Sequence, residues 1–160
     1  MNFKVKNWQD IGIRTDNLLS SLILYATLGL VLIFGFFIIL KIFPEFSVSS
    51  SILAQKLYPS FLSVIALSVL QELFFRGYLI PVLKSFSSKV TVVIVIDAVL
   101  FAAMHLIFHD PQVLFPAAFL AGLCFAGVYY YRPNLILVSL VHIVLIKSLT
   151  LFCYLKLINC

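Results

Sequence analysis

Five long apolar runs separated by short polar breaks organise the chain. The first, Leu18 to Leu40, carries no charged residue and stops at Lys41. As a helix it is long enough to cross a hydrocarbon core of about 30 Å. A polar stretch with Pro44, Glu45 and the serine-rich segment Ser47 to Ser51 follows. The second run, from about Leu57 to Leu83, is interrupted by Gln71, Glu72 and Arg76 and gives way to a basic turn, Lys84 to Lys89. The third, Val90 to Phe108, is rich in β-branched residues and contains Asp97 and His105; His109, Asp110 and Pro111 break it. The fourth, Val113 to Tyr131, closes on three tyrosines, Arg132 and Pro133, and the fifth, Leu135 to Leu157, contains His142 and Lys147. In water the β-branched runs would suit strands. In lipid an open strand leaves its amides unpaired, so each run is expected to be a helix. The expected fold is all-α: a polytopic membrane bundle of about five transmembrane helices over residues 18–160, preceded by an amphipathic cytoplasmic lead-in, residues 1–17.

Composition narrows the function classes. The 160 residues are 63% hydrophobic and 11% charged, against roughly 45–50% and about 25% in soluble domains. Soluble enzymes, nucleic-acid binders, coiled coils and disordered tails are thereby excluded. The net charge of +5 arises from Lys and Arg flanking apolar spans, so membrane lipid and not nucleic acid is the expected surrounding partner. With five crossings and the N-terminus inside, the inner segments hold Lys4, Lys6, Arg14, Lys84, Lys89 and Arg132, and the outer ones Lys41, Lys56 and Lys156. That bias favours N-inside. Trp8 and Tyr129 to Tyr131 suit the two bilayer interfaces. The apolar run after the charged first 17 residues is too long for the core of a signal peptide. Cys124, Cys153 and Cys160 have no C-x-x-C spacing and read as small apolar residues. A bacterial inner membrane is the expected location.

The informative residues are those that do not suit lipid. Glu72, Arg76, Asp97, His105, His142 and Lys147 lie within apolar runs. An Asp, Lys or Arg at a span centre costs about 2.5–3.5 kcal/mol on insertion scales. Such groups face the bundle interior and either pair with one another or serve a site. Glu72 and Arg76 stand at i,i+4, the spacing of a helical ion pair. Lys147 is expected to reach the interface or to pair with Asp97. Measured at about 1.5 Å per residue from the basic side, Glu72, His105 and His142 lie about 18, 24 and 12 Å deep. All three thus fall in the middle layer and can meet. Asp97, Phe101 and His105 recur at i, i+4, i+8 on one face of the third span. A carboxylate with two imidazoles in a water-poor pocket can hold and activate a water for hydrolysis. No cofactor is expected, though Glu72, His105 and His142 leave open a two-histidine, one-carboxylate metal set. The chain lacks H-E-x-x-H and G-x-S-x-G. Ala118, Gly122 and Ala126 form a small-residue stripe suited to close helix packing.

Three ordered motifs on three apolar spans resemble the CAAX-protease and bacteriocin-processing family of intramembrane proteases. Gln71-Glu-Leu-Phe-Phe-Arg-Gly77 resembles its E-E-x-x-x-R motif, Phe101-Ala-Ala-Met-His105 its F-x-x-x-H, and the segment from Asn134 to His142 leads into its H-x-x-x-N. Trp8 to Arg14 is similar to the lead-in common in that family. The resemblance implies a helical endopeptidase acting on a membrane-embedded or lipid-anchored peptide or protein with a membrane-proximal cleavage site. By position it gives His105 a part in activating water and His142 the role of an oxyanion donor, with Glu72 and Arg76 in support. Two positions depart from it: Gln71 stands where the family has its first glutamate, and Ile146 where it has asparagine. Losing one oxyanion donor typically costs a factor of about 100–1000. The leading expectation is that Glu72 serves as the carboxylate, with His105 activating water beside it and His142 stabilising the transition state. Gln71, Arg76, Phe101 and Asp97 would support them. The rivals are a catalytically impaired relative, acting as an immunity or partner-binding protein, and a proton-relay transporter subunit using Asp97, Lys147 and the histidines.

Overall fold

The computed structural model describes residues 6–42, 61–107 and 111–158, with side chains for 6–42, 62–106 and 114–152. The expectations at Pro44 to Ser51, Leu57, His109, Asp110, Cys153 and Cys160 lie outside what is described. Among the described residues there are helices and no strand. The β-branched run of the third span is helical, as pairing within the segment requires in lipid.

A 3-10 turn, Trp8–Ile11, precedes α1, Leu18–Ile42. The second span is one continuous helical rod made of α2, Phe61–Glu72, a π-helical stretch, Leu73–Leu79, and α3, Ile80–Phe86. Next come α4, Val90–Ala103, ending in a 3-10 turn, Met104–Ile107, then α5, Pro111–Tyr131, and α6, Leu135–Ile158. Four helices are long and apolar enough to cross a membrane: Leu18–Ile42, Leu62–Phe86, Leu114–Tyr131 and Leu135–Phe152. The third run is shorter, with its apolar helix spanning Val90–Leu106, about 25 Å at the α-helical rise. The protein is an integral membrane helical bundle.

Side-chain bonds order the ends of the helices. Asn17 Nδ2 donates to the Pro133 carbonyl (3.0 Å), and Lys84 Nζ donates to that of Tyr130 (3.1 Å). The start of α1, the end of α3, the end of α5 and the start of α6 therefore lie at one end, and α2 runs antiparallel to α6. The tightest pairing is α4 with α5. A Cβ on Gly122 would stand 3.1 Å from the Ala98 Cα, so the small-residue stripe is where these two backbones close. α6 packs against both α1 and α2.

The lead-in is held under this end. Gly12 has φ +80°, and a Cβ there would overlap the Tyr129 ring. Tyr129 Oη donates to the Ile11 carbonyl (3.0 Å), and the Leu135 amide donates to that of Gly12 (2.7 Å). Asn134 Nδ2 reaches the Arg14 carbonyl (3.1 Å) and Asn17 Oδ1 (2.8 Å). Tyr129 is buried at this end of the bundle, with its hydroxyl satisfying the lead-in backbone. Trp8 and Tyr131 are exposed.

Candidate active site

Glu72 ends α2 and is fully buried. The π-helical stretch begins at the next residue, and its wider turn (the Ile80 amide bonds back to the Phe75 carbonyl) brings three successive residues, Phe75, Arg76 and Gly77, to the interior. π turns of this kind occur frequently at functional sites.

Arg76 is the centre of a buried charge cluster. Its Nε lies 3.2 Å from Glu72 Oε2 and 3.7 Å from Asp97 Oδ2, and all three side chains have no exposed surface. Its Nη2 donates to the Gly122 carbonyl at 3.3 Å. The guanidinium lies 4.4 Å from the Phe101 ring centroid and 5.5 Å from that of Phe125. Planar stacking and forked donors of this kind are what guanidinium offers and ammonium does not. Asp97, one of the two expected destinations of Lys147, thus has Arg76 as an ion-pair partner.

The other carboxylate oxygen, Glu72 Oε1, is 2.7 Å from His142 Nδ1. A carboxylate only accepts, so in a hydrogen bond between an ionised Glu72 and His142 it is Nδ1 that donates, and a neutral ring would then hold its lone pair at Nε2. The imidazole is wedged between Phe101 and Phe125, with centroids at 5.7 and 5.6 Å. Glu72 has no exposure, whereas His142 keeps 4%. His105 stands in the 3-10 turn after α4, half-buried, with Nδ1 3.0 Å from the Phe101 carbonyl and its ring 5.1 Å from that of Phe101. The two histidines therefore share Phe101 as a packing surface. Gln71 is half-buried beside this cluster on α2, and Ile146 is half-buried one turn beyond His142.

The structure thus brings Glu72, Arg76, Asp97, Phe101 and His142 into one cluster, with His105 joined to it through Phe101. Phe125, Phe75 and the Gly122 carbonyl are members that the residue pattern did not single out. A phenylalanine in an apolar run carries no local signal. The small-residue stripe around Gly122 did mark a close approach, which is what puts a backbone carbonyl within reach of Arg76. Among the described residues no three His, Cys, Asp or Glu side chains are placed to share a metal ion.

Fold and cluster define a membrane-embedded helical protein with a carboxylate–imidazole pair in its interior. The family model of the type II CAAX prenyl endopeptidase Rce1-like proteins matches residues 53–145, more than half of the chain. The chain belongs to this family, which is one of membrane endopeptidases. No curated protein and no solved structure matches it significantly.

Proposed function

We propose that the protein is an intramembrane endopeptidase whose proton-transferring unit is the Glu72–His142 pair, the chain from residue 18 onward forming the catalytic domain. The observation that carries this reading is the 2.7 Å contact between Glu72 Oε1 and His142 Nδ1. In such a pair the carboxylate fixes the tautomer and orientation of the ring, and Nε2 becomes the general base. Glu72 is thereby a positioning residue. Its lack of exposure and its contact with Arg76 leave it poorly placed to meet water itself, whereas His142 retains a small exposed surface. Water would attack the scissile carbonyl carbon as Nε2 takes one of its protons. The C–N bond would then break, with that proton passing to the leaving amine, giving a carboxylic acid and a free amino terminus. His105, half-buried on the same aromatic ring, would orient the water. No cofactor or metal enters this scheme.

The substrate class is a peptide tethered to the bilayer: a prenylated C-terminal tail of the kind in the family's name, a bacteriocin leader or a sorting tail. The setting would be the inner membrane of a bacterium. The test is proteolysis of a panel of these three membrane-anchored peptides by purified protein in nanodiscs. Wild type is expected to cleave one class at a single bond, and His142→Ala to lose at least a factor of about 100, the scale of general-base catalysis. Undiminished cleavage by His142→Ala would sink the proposal.

Gln71 and Ile146 favour a second reading, a catalytically impaired relative that binds a membrane partner. On that reading wild type is inactive on the whole panel, and Gln71→Glu with Ile146→Asn restores cleavage.

A further inference from the structure

We infer that Ser68 is the oxyanion-binding hydroxyl of the site. This inference rests on the hydrolytic reading above. Ser68 lies one turn before Glu72 on the same face of α2. Its side chain is fully buried, and Oγ has no hydrogen-bond partner. Serine inside a helix commonly bonds back to the carbonyl one turn earlier, and this one does not. A buried hydroxyl left unpaired is destabilising, and in a native structure it calls for an explanation.

Position supplies one. α2 and α6 are antiparallel and touch at Glu72 and His142. Stepping back from Glu72 to Ser68 and forward from His142 to Ile146 are both displacements of about 6 Å toward the same end of the bundle. Ser68 and Ile146 are therefore level with one another, one turn beyond the pair. Arg76 and Asp97 lie on the opposite side, toward the lead-in. Ser139, another buried hydroxyl without a partner, precedes His142 on α6 and so lies on the Arg76 side of the pair. The turn of α6 that faces Ser68 offers Leu145 and Ile146, which have no side-chain acceptor or donor. An acceptor that arrives with substrate would satisfy Ser68. The carbonyl oxygen that becomes negative as water adds from His142 would lie within a turn of that hydroxyl.

The test separates this role from packing and from the hydrolytic reading itself. The probe is a membrane-anchored peptide phosphinate, a tetrahedral anionic copy of the hydrated bond, compared with the matching amide peptide on the full-length protein in nanodiscs. Wild type is expected to bind the phosphinate at least about 100-fold more tightly than the amide, the scale of one well-placed oxyanion donor. Ser68→Ala should lose most of that preference, leave amide binding unchanged and lower kcat with KM unaltered. Ser68→Thr, which keeps a hydroxyl, should retain most of it. Because Ser68→Ala removes an unpaired buried hydroxyl, its melting temperature should equal or exceed that of wild type. A phosphinate preference undiminished in Ser68→Ala overturns the role of Ser68 alone. A wild type that does not prefer the phosphinate overturns the hydrolytic reading and this inference together. A fall in melting temperature with parallel loss of both ligands makes Ser68 a packing residue and also overturns the inference.

Discussion

A guanidinium shared by two carboxylates and laid against an aromatic face does three jobs at once from one planar fork, a geometry that the point charge of an ammonium does not match. Arg76 faces Glu72 and Asp97, donates to the Gly122 carbonyl and stacks on Phe101. Removing one partner of a buried ion pair while leaving the other typically costs about 3–5 kcal/mol. Arg76→Met is expected to destabilise by that amount in detergent unfolding, and Arg76→Lys to fall between it and wild type. A lysine variant that melts like wild type would refute the structural role of the fork and the stacking. Glu72→Gln puts an amide group, part donor and part acceptor, between two donors. If its carbonyl accepts from His142, its amino group faces Arg76. Cleavage and stability are therefore expected to fall together in Glu72→Gln, whereas His142→Ala should lose cleavage with the smaller stability loss. The charged and imidazole members of the cluster were legible in the sequence because each is out of place in an apolar run. Phe125 and Ser68 were not, since phenylalanine is common in membrane helices and serine is tolerated there.

Among the elements, α4 and α5 approach most closely where Gly122 meets Ala98. Overpacking such a contact costs about 1–3 kcal/mol. Gly122→Val should lower the unfolding free energy by that amount and, by pushing the carbonyl away from Arg76, should also weaken the cluster. The lead-in turn offers a second prediction. Asp10 accepts the amides of Lys6 (2.8 Å) and Asn7 (3.0 Å), and these bonds, that of Asn7 foremost, hold its carboxyl below its ordinary value of 3.8. Bonding of Asp16 to Arg14 lowers Asp16 likewise. A depressed folded pKa gives stability that is present above about pH 4 and lost as pH falls through the lower folded values. The fluorescence of Trp8, the one tryptophan of the chain, is expected to stay constant from pH 7 to about pH 4 and to change below it. A change confined to the range above pH 5 would contradict this. The lead-in could be read as an amphipathic segment, but its docking could not. That docking depends on the positive φ of Gly12 and on tyrosine and asparagine partners far along the chain.

For the whole molecule, the crossings were legible because span length and charge-free runs are set by the thickness of the bilayer. The tightening of the third from α-helix to a 3-10 turn at Met104 was not, since nothing in its apolar pattern announces it. The π stretch was equally hidden, because Phe75, Arg76 and Gly77 satisfy either helical geometry. The clasp between the lead-in and the start of α6 has a consequence for how the molecule is made. Ile11, Arg14 and Asn17 find partners 116 to 120 residues later in the chain. At about 5–20 residues per second of synthesis, the lead-in waits on the order of ten seconds for these partners. Until then the carbonyls of Ile11, Gly12 and Arg14 lack the partners that later cover them, since Tyr129, Asn134 and Leu135 do not yet exist. Nascent chains stalled before residue 129 should be cut by added protease between Ile11 and Asn17, and chains stalled after α6 has emerged should resist. A segment made well before its partners thus closes only after they have emerged, as a latch that records the arrival of α6.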